Sequence, residues 1–509
     1  MYTNIKSHGL SGIEGFTVNI EVAIFTGLPA YNMVGLPDTA VRESRERVQS
    51  AIKNSRYTFP NDKVIINLAP ADMRKEGTQY DLPIALGLLV ASKQISDKNI
   101  GNFTILGELA LDGTVRHING ILPMVIDASE RGETNFLISA ANAKEAAQIE
   151  GVNIFAVNTL KEAAQFLDGK LNIEPMPIER WLPDDDCRSN DFSLIQGQFS
   201  AKRAVEVAVA GGHNILLIGT PGSGKTMISR SIPSILPDLT KEEAIEITKI
   251  HSIVGELPPD SGLVTQRPYR SPHHTSSAAS LVGGSTKALP GEISLAHFGV
   301  LFLDELPEFK RDVLEAMRQP LEDGFITVSR ATFRATYPAS FMLVAAMNPC
   351  PCGNYGSKHN KCRCSLQQIK KYQQRISGPL LDRIDLHIEM TEVEYSDFTN
   401  TTPAESSKSI KARVNAARAI QRKRFDGTGI LFNAQMDSTH IKEFCTIDSE
   451  GEKLMEMAFS RLNLSARAYN RLKKVARTIA DLDNSEKISA SHISEAIQYR
   501  SLDSKYWGN

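Results

Sequence analysis

Residues 219–226, Gly219-Thr220-Pro221-Gly222-Ser223-Gly224-Lys225-Thr226, fit G-x-x-x-x-G-K-[ST] without exception. Glycines at these positions let backbone N–H groups turn inward around phosphates, and a following helix adds positive potential at its N-terminus. Lys225 is placed to meet the β/γ-phosphates of a nucleoside triphosphate, and the Thr226 hydroxyl to hold Mg²⁺. Farther along, the apolar run 300–303 ends in Asp304-Glu305. Asp304 suits Mg²⁺, and Glu305 suits a general base that polarises the attacking water. The run 341–347 ends in Asn348, whose amide could orient that water. Arg383 stands between Asp382 and Asp385 and has two readings: a surface ion-pair residue, or an arginine that reaches a neighbouring subunit's γ-phosphate. Arg467, at the start of a helical stretch, offers a second arginine.

A second constellation follows Asn348 directly. Cys350 and Cys352 are paired with Cys362 and Cys364, and four thiolates suit tetrahedral Zn²⁺. His359 is a substitute ligand on the same loop, and four reduced thiols are the alternative. Cys187 and Cys445 stand alone.

Elements that can carry these groups are legible around them. Residues 214–218 form an apolar strand and 227–232 continue as a helix, which is the strand–loop–helix context the phosphate loop needs. Strands ending in acids or amides bring them to the carboxyl edge of a parallel sheet, where ligands bind in open α/β folds. Residues 1–168 alternate strands and helices: a helix through 38–54 capped by Asp38, a strand over 63–68, a buried helix over 81–93, strands over 135–138 and 153–157. Residues 169–190, rich in Pro and Asp, read as a linker, as do residues 393–407. The nucleotide motifs occupy 191–392, and 408–509 is helical. The basic stretch 408–424 has two readings, a DNA-facing surface or a solvated face.

The chain has 509 residues, 41% hydrophobic and 23% charged, which describes ordinary globular protein with room for several domains. Its formal net charge is −2, so any nucleic-acid contact must use local patches. The N-terminus lacks a signal peptide's apolar core, and the longest apolar stretch, 82–91, is too short for a bilayer. The expected location is cytoplasmic, with no membrane partner and with cysteines reduced or metal-bound.

These parts in this order resemble an AAA+ ATPase, with Ile195-Gln196-Gly197-Gln198 at the adenine side. A helix-2 insert (267–287) and a hairpin before the Asn348 strand (323–335) mark the magnesium-chelatase and replicative-helicase branch. The whole chain is similar to the ComM/YifB group of magnesium-chelatase-like proteins, through VGLPDTAVRESRERVQSAI, NLAPADMRKEG, DLPIALGLL, SPHHTSSAASLVGG, MNPCPCG and SGPLLDRIDL. The resemblance implies a multidomain α/β protein: a Lon-protease-like (ribosomal S5 domain 2-like) α+β N-terminal domain, an AAA+ core and an α-helical lid. It implies a homo-hexameric, ATP-driven motor on single-stranded or branched DNA, working beside recombination proteins in natural transformation. Lys287, Arg330 and Arg334 are its candidate DNA contacts. Gln79 stands where Lon has its serine, and residues 119–124 lack the lysine, so no protease is expected. The alternative is a chelatase-type or protein-remodelling motor.

Overall fold

The computed structural model describes residues 2–184, 190–284, 288–330, 333–392, 404–462, 465–502 and 506–507, without the side chains of 330, 333, 461 and 462. Cys187, Lys287 and residues 393–403 of the second expected linker therefore lie outside the described residues. The chain divides into two compact units: Met1–Leu182 with Lys241–Thr265 and Ser329–Tyr337, and Pro183–Thr240 with Gln266–Val328 and Pro338–Asn509. Two segments inside the linear 191–392 range thus cluster with the first unit.

In the first unit, nine strands precede the nucleotide motifs: β1 (Tyr2–Ser11), β2 (Glu14–Phe25), β3 (Ala30–Val34), β4 (Lys63–Ala69), β5 (Thr104–Ile105), β6 (Glu108–Leu109), β7 (Val115–Arg116), β8 (Asn135–Ser139) and β9 (Asn153–Val157). Seven form a mixed sheet in the order β3-β4-β2-β1-β5-β8-β9, and β6 pairs with β7 apart from it. On β2, Phe16, Val18, Ile20 and Val22 alternate inward, the period that lets one face take the core. The helix Asp81–Ala91 is buried along its whole length, shorter than the expected 81–93. Asp38 caps as expected, accepting the Val41 N–H at 2.8 Å. The expected single helix breaks at Glu43 into Thr39–Arg42 and Ser44–Asn54. The helix Lys241–Val254 brings Ala244, which with Leu263 covers Leu122 beside Ile126, Ile149 and Trp181.

The second unit holds β10 (Ile215–Gly219), β11 (Tyr269–Arg270), β12 (Val300–Leu303), β15 (Met342–Met347) and β16 (Leu386–Met390) in the order β11-β12-β15-β10-β16. All four pairings are parallel. Strands β10, β12 and β15 are buried throughout, as a sheet covered on both faces requires. Among the described residues, two further strands, β13 (Phe325–Arg330) and β14 (Phe333–Pro338), pair only with each other as the expected hairpin, of which Ser329–Tyr337 groups with the first unit. Among the described residues, five α-helices follow: Ser407–Arg424, Ser438–Phe444, Ser449–Leu462, Ala466–Leu482 and Ala490–Gln498. Val414 and Ala417 of the first share a core with Val205 and Ala208 of the helix Phe199–Gly211 and with Val475 and Ile479.

The basic helix is no open cationic stripe. Arg413 pairs with Glu206 and Glu405, Lys411 with Asp238, and Arg424 with Asp481, while Arg418 lies over the Phe432 ring. Three of the seven cations of 408–424 are thus ion-paired within the chain, while Lys408, Arg422 and Lys423 are exposed, so both readings of this stretch stay open. Among the described residues, no helix is long and apolar enough to cross a membrane.

Candidate nucleotide site

At the carboxyl end of β10 the chain turns through Gly222 (φ +81°) and Gly224 (φ +89°) into the helix Lys225–Ser231. Both glycines sit where a Cβ is disfavoured, which keeps the loop's N–H groups converging. A Cβ on Gly219 would lie 2.6 Å from Ser223 Oγ, so the first position is closed by contact. Lys225 Nζ donates to the carbonyls of Gly219 (2.7 Å) and Thr220 (2.9 Å) and to Asn348 Oδ1 (3.2 Å). Burial lowers the Lys225 pKa, and Asp304 and Glu305 oppose that shift. Thr226 Oγ1 donates to Asp304 Oδ2 at 2.9 Å. That hydroxyl and carboxylate are hard oxygen ligands on one spot, a set that fits Mg²⁺ together with phosphate oxygens.

Glu305 has a left-handed backbone (φ +53°), its own N–H bound to Asp304 Oδ1 at 2.9 Å. Its side chain is half exposed, and Oε2 lies 3.3 Å from His274 Nδ1. His274 packs against His273, ring centroids 4.1 Å apart. The sequence marks this histidine only as part of the insert; the contact with Glu305 joins residues thirty-one positions apart. Gln198 sits beside the phosphate loop, its Nε2 donating to Ser223 O (3.2 Å) and Thr391 O (2.6 Å).

Arg383 and Arg467 lie elsewhere. β10 and β16 run in register from Ile215–Leu386 to Gly219–Met390. Asp385 N–H bonds to Asn214 O, at the edge opposite the phosphate loop. The two edges are about 15 Å apart at the usual rise per residue. Arg383, only 9% exposed, donates to Pro379 O (2.7 Å) and to Glu322 Oε2. Arg467 reaches the other oxygen of Glu322 at 3.3 Å. One carboxylate thus holds both arginines, in the wall of a cavity of about 680 Å³ that also takes Arg471 and Lys474. Burial pushes the Asp385 carboxyl up, but hydrogen bonding to His213 and the charges of Arg471 and Lys474 outweigh it, and its pKa falls to about 2.

The four clustered cysteines do converge. Cys350 Sγ is 3.4 Å from Cys352 Sγ and 3.7 Å from Cys362 Sγ, and Cys352 is 3.6 Å from Cys362. All four sulfurs lie within 4.8 Å of one another. The alternative ligand His359 turns to Glu392, 3.8 Å away. Arg334 is exposed on β14; Arg330 ends β13. Gln79 donates to the Glu76 carbonyl at 2.8 Å.

A parallel sheet with its phosphate-loop strand between β15 and β16, acids after β12, an amide after β15 and a helical bundle behind defines the AAA+ class of P-loop proteins. Comparison with known proteins narrows this. Residues 191–398 match the family "Magnesium chelatase, subunit ChlI", 404–500 its C-terminal part, and 20–142 "Subunit ChlI of Mg-chelatase". The chain is 45% identical over 501 residues to the uncharacterized protein YifB of Escherichia coli, covering 98% of this chain and 97% of that one. It is 41% identical over 506 residues to the competence protein ComM of Haemophilus influenzae, with the same coverage. The magnesium-chelatase 67 kDa subunit of Chlorobaculum tepidum matches at 27% over 164 residues, 31% of this chain and 23% of that protein. The chain belongs to the magnesium-chelatase-like AAA+ family that contains ComM and YifB.

Proposed function

We propose that this chain is an ATP-hydrolysing motor that moves branched DNA during the uptake or recombination of DNA in the cytoplasm. The observation that carries this reading is the end-to-end likeness to a competence protein, set against a match to the magnesium-chelatase 67 kDa subunit that covers 31% of the chain. The description matched by residues 20–142 also names the chelatase subunit, so the N-terminal region alone does not separate the two readings. The chelatase-type motor therefore stays as the second reading, favoured by those family descriptions.

Lys225 meets the β/γ-phosphates while the loop N–H groups wrap them. Thr226 and Asp304 would hold Mg²⁺, which would supply positive charge against the phosphates. Glu305 takes the proton of the attacking water, and Asn348, already against Lys225, orients that water. His274 fixes the base from the side. Arg383 and Arg467 face away from this chain's own site, so they serve a neighbour: the arginine edge of one subunit meets the phosphate-loop edge of the next. Such head-to-tail contacts close into rings, here a homo-hexamer. In the ring the γ-phosphate replaces Glu322 as the partner of both arginines. The hairpin with Arg330 and Arg334, and Lys287 in the helix-2 insert, touch DNA phosphates. Residues 1–168, a Lon-like domain without catalytic groups, form a DNA-binding or assembly platform. The four cysteines hold a structural zinc.

The test is branch migration of a four-way junction with ATP and Mg²⁺, by wild type and by Lys225→Ala. Wild-type protein should move the junction, Lys225→Ala should not, and binding should weaken with salt as counterions are released. ATPase activity that ignores every DNA but responds to a protein or porphyrin partner would transfer the assignment to the chelatase-type motor.

A further inference from the structure

The four-cysteine loop and the phosphate loop touch. Gly353, between Cys352 and Cys362, is buried at φ +80°, and a Cβ there would stand 2.6 Å from Cδ and Cγ of Pro221. The same loop is tied at Lys358, whose N–H donates to Glu392 Oε2 at 3.1 Å, just beyond β16. Ser357 first, then the Lys358 N–H, His359 and Thr220, hold the Glu392 carboxyl below its ordinary range. Glu392 thus stands between the cysteine loop and Thr220 of the phosphate loop. At its start, Cys350 follows Asn348, which accepts from Lys225. The cysteine loop is therefore anchored against the phosphate loop at Pro221, beside Thr220 and through Asn348.

The sulfur geometry fits one tetrahedral metal ion closing that loop. A zinc ion with Zn–S near 2.3 Å sets tetrahedral sulfurs about 3.8 Å apart. The separations among Cys350, Cys352 and Cys362, 3.4, 3.6 and 3.7 Å, are close to that spacing and far beyond a disulfide bond, and Cys364 lies within 4.8 Å of all three. Tyr355 N–H donates to Cys350 Sγ at 3.3 Å, the outer-sphere contact that thiolate ligands take. A Zn²⁺ ion with four thiolates carries net charge of about −2, and Lys358, Lys361 and Arg363 lie on the same loop to offset it.

We propose that one zinc ion on Cys350, Cys352, Cys362 and Cys364 braces the phosphate loop through Gly353 and Pro221, so that nucleotide affinity depends on a metal that never touches nucleotide. This rests on reading 219–226 as the ATP site. Without the ion, the loop that carries Gly353 loses its closure, and Pro221 loses the wall that keeps the phosphate loop in its binding conformation.

The experiment uses the full chain and a fluorescent ATP analogue. Elemental analysis of wild type should find about one zinc per chain. Chelation of the zinc should weaken analogue binding about tenfold, the effect expected if the unbraced loop is competent about a tenth of the time. Adding back Zn²⁺, but not Mg²⁺, should restore it. Cys362→Ser with Cys364→Ser should reproduce the chelated state; far-ultraviolet circular dichroism checks that it is folded, and chelation of wild type decides the matter where it is not. Gly353→Ala should keep the zinc and still lose affinity, because its Cβ pushes on Pro221. Lys225→Ala should lose nucleotide and keep zinc. Protein that takes up no zinc, or that holds iron instead, overturns the metal assignment. Zinc removal with unchanged analogue affinity overturns the brace alone. Zinc-loaded wild type that binds no nucleotide overturns the brace together with the ATP-site reading.

Discussion

Replacing Arg383 by Ala tests the placement of the arginine edge. The Arg383 side of the sheet lies about 15 Å from the phosphate loop along five registered pairs of β10 and β16. Acting on its own chain's γ-phosphate is therefore outside its reach; in the proposed ring it acts on a neighbour's, and on the other reading it only pairs with Glu322. Loss of such an arginine lowers turnover about 10³-fold or more while leaving ATP binding intact. Glu305→Gln abolishes turnover from the other side of the interface. In a random one-to-one mixture of the two variants, an interface is whole when the site comes from an Arg383→Ala subunit and the arginine from a Glu305→Gln subunit. That happens at about one quarter of interfaces in a head-to-tail ring. The mixture should therefore recover up to about a quarter of wild-type ATPase, far above either variant alone. Coupled-enzyme ATPase assays across mixing ratios, with mixed rings verified by native mass spectrometry, give the measurement. An arginine acting within its own chain predicts no recovery at any ratio, and that outcome refutes the edge argument.

Three further outcomes follow from the geometry. Glu305→Gln should bind ATP with near wild-type affinity in a filter-binding assay and hydrolyse it about 10²- to 10⁴-fold more slowly, since Thr226 and Asp304 are untouched. Glu322→Gln should loosen Arg383 and Arg467 without touching the phosphate loop, so analogue binding stays while ATPase activity changes; unchanged ATPase would show the clasp to be inert. Glu145 is buried with Oε1 unpartnered, and burial raises its pKa from 4.5 to about 7 against hydrogen bonds from Ser252, the Leu122 N–H and Asn142. An acid raised on folding penalises the fold once it ionises: no penalty below about pH 4.5, growth between 4.5 and 7, the full penalty above 7. Glu145→Gln should therefore stabilise the chain by up to about 3 kcal/mol at pH 8 and by little at pH 5. Thermal denaturation at the two pH values checks this, and equal gains at both would contradict it.

The phosphate loop, its strand and its helix are legible in sequence because the motif is local: eight consecutive residues and their flanks define it. The positions of Asp304 and Asn348 at one sheet edge follow from apolar runs that end in polar residues, a pattern parallel sheets impose. The cysteine convergence is legible from spacing because a short loop brings the pairs together. Glu322 between Arg383 and Arg467, and His274 on Glu305, are not legible, since no periodicity links residues so far apart. The helix Ser407–Arg424 shows the limit in the other direction. Its cations look like a surface, yet Arg413 and Arg424 turn to Glu206 and Asp481, acids contributed by distant helices. Residues 241–265 escape a linear reading for a similar reason: their apolar partners are Leu122, Ile126 and Ile149, more than ninety positions earlier.

That last arrangement imposes a schedule on the chain as the ribosome makes it. Leu122, Ile126 and Ile149 leave the exit tunnel long before Ala244 and Leu263, which cover them. At ordinary elongation rates the interval from Ile149 to Leu263 is on the order of 10 s. For that time the nascent N-terminal portion presents an unfinished apolar face, while β10 and the phosphate loop are being synthesised in between. A chain cut after residue 182 would keep that face bare for good. Trigger-type holdases, or simply slow codons ahead of residue 241, would find their target there, in a protein whose first unit cannot be completed until much of its second has been made.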